Sequence, residues 1–204
     1  MDELRDLLAT FANAQGVSGY EDDIAGLLQE HLADLTDEVR TDTMGNVIGT
    51  RNGDGPKIMI AAHMDEIGLM VKYIDDNGFL RFVPLGGWID QILLGQRVVV
   101  RGLEGNLYGV VGSKPPHIME PDDRKKVIKL KDMFIDIGAS SREEAEEFGV
   151  QIGSTITIDR DLRPLKGNLV TGKAFDDRAG VAMMVSAMRR LKDMEVRATV
   201  FAVG

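Results

Sequence analysis

Apolar residues near the start of the chain recur at helical spacing. Leu4, Leu7, Leu8 and Phe11 share one helical face, and Gly16 is placed to end that helix. Ser18 and Glu21 match a capping box ahead of a second helix, whose Ile24, Leu27, Leu28 and Leu32 lie on one side. The pattern then turns strand-like at 38–42 and 46–51, broken by Met44-Gly45-Asn46. Asn52-Gly53-Asp54-Gly55 is a strong turn signal before Ile58-Met59-Ile60-Ala61-Ala62, an apolar run that reads as a buried strand. Past Gly68 the texture is hairpins. Leu69–Ile74 and Phe79–Leu85 flank Asn77-Gly78, the favoured tight-turn pair, and 97–101 and 107–111 flank Glu104-Gly105-Asn106. Strands at 133–137 and 155–158 bracket a short helix that Ser140-Ser141 caps and Gly149 ends. Short strands with turns about every ten residues predict a small barrel or sandwich. Helical spacing returns at Val181, Met184, Val185, Met188 and Leu191, followed by an apolar strand at 197–203. The expected organisation is an α/β framework in two parts, 1–66 and 164–204, interrupted by a β-rich block at 67–163.

Composition narrows the chemistry. The formal charge of -9 disfavours a general nucleic-acid binder, whose phosphate contacts need clustered Lys and Arg. The charged stretch from Asp122 to Lys131 reads as a solvated loop, and His31 as a bystander beside the second helix. With no cysteine there is neither disulfide nor thiolate metal site, so a bound metal would rest on His, Asp and Glu. No apolar run approaches the roughly 18–20 residues of a membrane-spanning helix, and the acidic start lacks the pattern of a signal peptide. A cytoplasmic enzyme or binding protein, without membrane partners, is the expectation.

The apolar run at Ile58 stops abruptly at His63-Met64-Asp65-Glu66, and strand ends are where open α/β sheets place ligand chemistry. His63 and Asp65 are two positions apart and point to the same side of an extended chain, as suits a metal ligand with a carboxylate partner. Asp176-Asp177 stands at the entry to the last helix. An N-cap role and the helix dipole account for one of these acids or for both. Two adjacent carboxylates repel each other, and a dication relieves that repulsion.

Four segments carry a resemblance. They are His63-Met64-Asp65-Glu66-Ile67-Gly68, Gly112-Ser113-Lys114-Pro115-Pro116-His117, Asp136-Ile137-Gly138-Ala139-Ser140-Ser141, and Gly172-Lys173-Ala174-Phe175-Asp176-Asp177-Arg178-Ala179-Gly180. Together they resemble the M42 metallo-aminopeptidases, the tetrahedral or TET aminopeptidases, some of whose relatives have been labelled endoglucanases. The resemblance implies an α/β catalytic domain with an inserted β-rich dimerisation domain, and dimers assembling into a dodecamer. It implies two divalent metals, zinc or cobalt, that serve the removal of N-terminal residues from peptides. On this reading His63 is a terminal ligand of one metal, Asp65 orients it, and Asp176 bridges both metals, joined to Asp177 by a cis peptide. His117, Lys114, Arg178 and Glu66 receive no role. In the resembled family the strand matching 197–203 is followed by a Glu-Glu pair, one of them the general base, and by further ligands. The chain stops short of these at Gly204. It therefore reads as the N-terminal part of a longer protein, inactive alone, binding metal weakly and exposing an apolar strand edge at 197–203. Two other readings stay open: a non-catalytic assembly module built on the same scaffold, and a glycosidase, whose chemistry needs two carboxylates and typically no metal.

Overall fold

The computed structural model describes residues 2–115 and 126–204. His117 and residues 122–125 of the charged stretch lie outside the described residues. Two compact units are present: Met1–Glu66 with Arg160–Gly204, and Ile67–Asp159, inserted in sequence between the two parts of the first.

The first unit holds a four-stranded sheet in the order β1-β2-β12-β3, formed by β1 (Glu38–Thr41), β2 (Val47–Arg51), β3 (Lys57–Ala61) and β12 (Thr199–Val203). β12 runs antiparallel to β2 and parallel to β3, so its residues pair on both sides. Helices α1 (Asp2–Asn13), α2 (Asp22–Ala33) and α4 (Phe175–Lys192) supply the apolar stripes that cover it. Phe11, Ile24, Leu28, Leu32, Val181, Val185 and Met188 form one core with Val47, Val200 and Ala202. Val200 and Ala202 are buried while Phe201 and Val203 between and beyond them are only half-buried, the alternation of a strand with its core on one face. The turn before β3 needs its glycine. A Cβ on Gly53 would fall 2.2 Å from the Arg197 carbonyl oxygen, which is backbone and cannot yield.

Two expectations about this sheet are corrected. The Ile58 run is not a buried strand: among the described residues β3 pairs with β12 alone, and Ile58 and Met59 are 48% and 68% exposed. The apolar edge thus belongs to β3 and not to β12, which is an interior strand. Periodicity reports which residues are apolar, and it cannot report how many neighbours a strand finds.

The second unit is a closed barrel in the order β4-β5-β8-β7-β6-β9. Its strands are β4 (Gly68–Ile74), β5 (Leu80–Leu85), β6 (Arg97–Arg101), β7 (Asn106–Ser113), β8 (Met133–Asp136) and β9 (Thr155–Ile158). The Asn77-Gly78 and Glu104-Gly105-Asn106 turns join the two expected hairpins, β4–β5 and β6–β7. β9 closes the ring by pairing with both β4 and β6. Closure leaves no free edge, and the alternating valines and isoleucines fill the interior, with Val98, Val100, Ile135 and Ile156 fully buried. Between β8 and β9, helix α3 (Arg142–Glu147) is closed by a reciprocal cap: Ser141 Oγ accepts from the Glu144 amide while Glu144 Oε2 accepts from the Ser140 amide.

The chain leaves the barrel at Asp159, four residues before the expected boundary at 163. Leu162 donates its amide to Asn13 Oδ1 at 2.8 Å, and β10 (Arg163–Pro164) pairs with β11 (Val170–Thr171), so this stretch belongs to the first unit.

Candidate metal centre

Two chain segments meet in the first unit. One is the run from β3 into Ala62-His63-Met64-Asp65-Glu66. The other is the entry to α4, where Ala174 takes a left-handed conformation at φ 56 and the Asp176–Asp177 peptide is cis. A positive φ on a non-glycine residue is uncommon and tends to mark a constrained functional turn. Asp176 and Asp177 have non-helical φ and ψ, so the regular helix begins at Arg178.

His63 stands between two carboxylates. Its Nδ1 lies 2.9 Å from Asp65 Oδ1, and its Nε2 lies 2.9 Å from Asp176 Oδ1, across 113 positions of sequence. The two adjacent acids divide their work. Asp177 accepts the Gly180 amide at 3.0 Å and caps the helix, while the side chain of Asp176 is 96% exposed and free to face His63. Gly180 allows that cap, because a Cβ there would lie 2.5 Å from Asp177 Oδ2.

Beneath this pair lies a buried ionic cluster that the sequence left unassigned. Lys173 Nζ bonds Glu66 Oε1 at 2.7 Å and the Ala14 carbonyl at 2.8 Å. Arg178, with no exposed surface, donates to the carbonyls of Met64, Phe11, Ala14 and Gly16, and its Nη2 is 3.9 Å from Glu66 Oε1. One guanidinium, two residues past Asp176, therefore grips the carbonyl between His63 and Asp65. Burial pushes the Glu66 carboxyl above its ordinary range and the Lys173 ammonium below its own, and their attraction opposes both shifts. A sequence signal existed: Lys173 and Arg178 flank the acids in an otherwise apolar stretch, but spacing alone did not say that Glu66 faces them.

The reading of Ser18 as a helix cap is also corrected. Helix α2 starts at Asp22 with Glu21 at its N-cap position and no side-chain cap, and Ser18 Oγ donates instead to Asp65 Oδ2. Glu21 turns back to accept the Gly19 amide at 2.7 Å. A cleft of about 620 Å³ opens beside His63 and Asp65, with Glu21, Gln29, Thr41 and Asn46 among its walls. Lys114 lines a groove of the second unit with Arg81, Lys129 and Lys131.

The donor chemistry suits a divalent ion in part. With Nδ1 held by a carboxylate, His63 offers Nε2, the arrangement that ligating histidines favour. Donor atoms on one tetrahedral ion with bonds of about 2.0–2.2 Å lie about 3.3–3.6 Å apart, so the 2.9 Å approach of Nε2 and Asp176 Oδ1 is a direct hydrogen bond that a shared ion would open. Among the described residues no group of three or more His, Asp and Glu side chains is arranged to hold a metal. The site thus provides two donors.

Without metal, the site has a definite pH response. Burial lowers the His63 pKa, but hydrogen bonds and charge from Asp176 and Asp65 outweigh it and hold the pKa above 6.5. A folded-state pKa above the unfolded one favours folding below about pH 6.5, and that contribution fades as pH rises through the folded value. His63→Gln is therefore expected to cost more stability at about pH 5.5 than at about pH 8.5. Urea unfolding midpoints of both forms at the two pH values check this; a gap that widens with pH would contradict it.

The chain belongs to the M42 glutamyl aminopeptidase family, whose profile matches residues 45–204. It is 41% identical over 192 residues to lysyl aminopeptidase of Pyrococcus furiosus, covering 93% of this chain and 56% of that protein. A TET aminopeptidase from the marine sediment archaeon Thaumarchaeota archaeon SCGC AB-539-E09 superposes with a TM-score of 0.94 at 43% identity, over 100% of this chain and 58% of that one. The TET1 peptidase of Pyrococcus horikoshii, which can assemble into a tetrahedron or a large octahedral shell, gives 0.89 at 37%, over 98% of this chain and 60% of that one. The chain thus spans little more than half the length of these relatives. No described helix is long and apolar enough to cross a membrane.

Proposed function

We propose that this chain carries part of the centre of a cytoplasmic two-metal aminopeptidase, with zinc or cobalt as the metal and peptides as substrates. His63 is a terminal ligand, Asp176 the bridging carboxylate, and Asp65 the group that orients His63. The observation that carries the reading is the 2.9 Å approach of His63 Nε2 to Asp176 Oδ1 from segments 113 positions apart. Bound divalent ions supply Lewis acidity to a peptide carbonyl and acidify water. The chain's own part is to hold the donors in place: Asp65 fixes the imidazole, and Arg178 and Lys173 tie the two donor segments together. The carboxylates nearest in sequence are engaged, Asp65 by His63, Glu66 by Lys173 and Asp177 by the Gly180 amide. Each thus has a structural partner, and this reading gives none of them the role of general base. Self-assembly belongs to the same reading, with the barrel unit carrying the contacts. Leu103, Tyr108 and Ile152 on that unit are 72%, 71% and 69% exposed, as suits an association surface.

The test is release of the N-terminal residue from short peptides, with added zinc or cobalt, by the 204-residue chain and by a longer form that supplies a base. Metal-dependent turnover is expected from the longer form only, blocked by N-acetylation of the peptide, because losing a general base forfeits about 10²–10⁴-fold in rate. Robust turnover by the short chain would overturn the assignment of its carboxylates. Silence from both would favour the non-catalytic assembly module.

A further inference from the structure

We propose that Ser18 is a positioning residue of the metal centre, acting through Asp65 on His63; the inference rests on the metal reading above. Asp65 has two oxygens and both are committed. Oδ1 meets His63 Nδ1 at 2.9 Å, and Oδ2 accepts the Ser18 hydroxyl. A carboxylate held at one oxygen can swing about its χ2 axis, whereas one held at both cannot. Ser18 therefore sets the plane of Asp65, Asp65 sets the plane of the imidazole, and Nε2 is left aimed at Asp176.

Ser18 is itself held in register. Val17 and Glu66 form a parallel bridge, the Glu66 amide donates to the Gly16 carbonyl at 2.8 Å, and Arg178 Nη2 reaches the same carbonyl at 3.4 Å. The Tyr20 amide closes a turn on the Val17 carbonyl at 2.9 Å, across Gly19 at φ 84. This loop between α1 and α2 is thereby locked to the backbone beside Asp65, 47 positions downstream of Ser18. A neutral hydroxyl fits the place: it donates to Asp65 without adding a positive charge that would compete for the carboxylate with the metal-bound imidazole. Capping cannot account for the serine, because α2 begins four residues later with Glu21 at its N-cap position.

The experiment is a cobalt titration of the 204-residue chain, following the visible absorption of bound Co²⁺ and the affinity by calorimetry. The proteins compared are the parent, Ser18→Ala, Ser18→Thr, Asp65→Ala and the Ser18→Ala/Asp65→Ala double variant. Ser18→Ala is expected to weaken cobalt binding about tenfold, the low end for loss of a partner behind a ligand, and to alter the absorption bands. Ser18→Thr keeps the hydroxyl and should restore both. The double variant should bind no more weakly than Asp65→Ala alone, because residues that act through one another are not additive. Thermal unfolding of Ser18→Ala should match the parent. Unchanged affinity and spectrum in Ser18→Ala, or an effect that simply adds to that of Asp65→Ala, would overturn the role of Ser18. A parent chain that binds no cobalt, or a His63→Ala chain that binds it equally well, would instead bring down the metal reading and this inference with it.

Discussion

Replacing Arg178 by methionine is expected to destabilise the α/β unit by about 3–5 kcal/mol, the range for removing one partner of a buried charge cluster. Methionine keeps an unbranched stem and most of the volume, so the loss falls on the polar contacts. The guanidinium has no exposed surface and serves the carbonyls of Phe11, Ala14, Gly16 and Met64. Each carbonyl left without a donor in the interior costs about 1–3 kcal/mol, and partial relaxation keeps the total below their sum. Glu66 also loses one of its two neighbouring cations. Far-ultraviolet circular dichroism in urea reads this change, since α1, α2 and α4 all belong to the affected unit. The fluorescence of Trp88, the sole tryptophan, serves as the internal reference. Its indole donates to the Gly68 carbonyl within the barrel unit, so its transition should move much less. A loss under about 1 kcal/mol would mean that water replaces the guanidinium, and that the cluster does not hold the two segments together.

Much of this architecture is written in local pattern. Helical spacing at Leu7 and Phe11, and again at Val181, Val185 and Met188, places those residues in the core because a stripe of that period can face only one way. The hairpins were legible from Asn77-Gly78 and Glu104-Gly105-Asn106, where the turn chemistry fixes the register. The His63, Asp65 and Asp176 triad was named from strand-end placement and motif, and the structure brings those three side chains into contact. Non-local pairing was not legible. β12 lies between β2 and β3 although it is far from both in sequence, so the exposed edge was assigned to the wrong strand. Ser18 was misread for a related reason. A serine three residues before a glutamate is a capping box by local rule, and only the fold brings Asp65 within reach of its hydroxyl. Glu66, Lys173 and Arg178 escaped assignment because charges 107 and more positions apart carry no mutual signal in sequence.

Metal affinity should depend on His63 and Asp176 more than on any other side chains described. His63→Ala removes the only imidazole at the site among the described residues, and Asp176→Ala removes the exposed carboxylate that faces it. Each is expected to weaken zinc binding by two orders of magnitude or more, beyond the roughly 10–100-fold that loss of a supporting partner such as Asp65 costs. Catalytic zinc ordinarily takes three protein ligands, and this pair offers two donors, so the parent chain should itself bind weakly. Affinity should rise with pH through the His63 pKa, which lies above 6.5, because zinc and proton compete for the same nitrogen. The direct measurement is calorimetric titration of zinc into the parent, His63→Ala and Asp176→Ala chains under one buffer condition. The account predicts measurable binding by the parent and loss of it in both variants; equal binding by all three would contradict it.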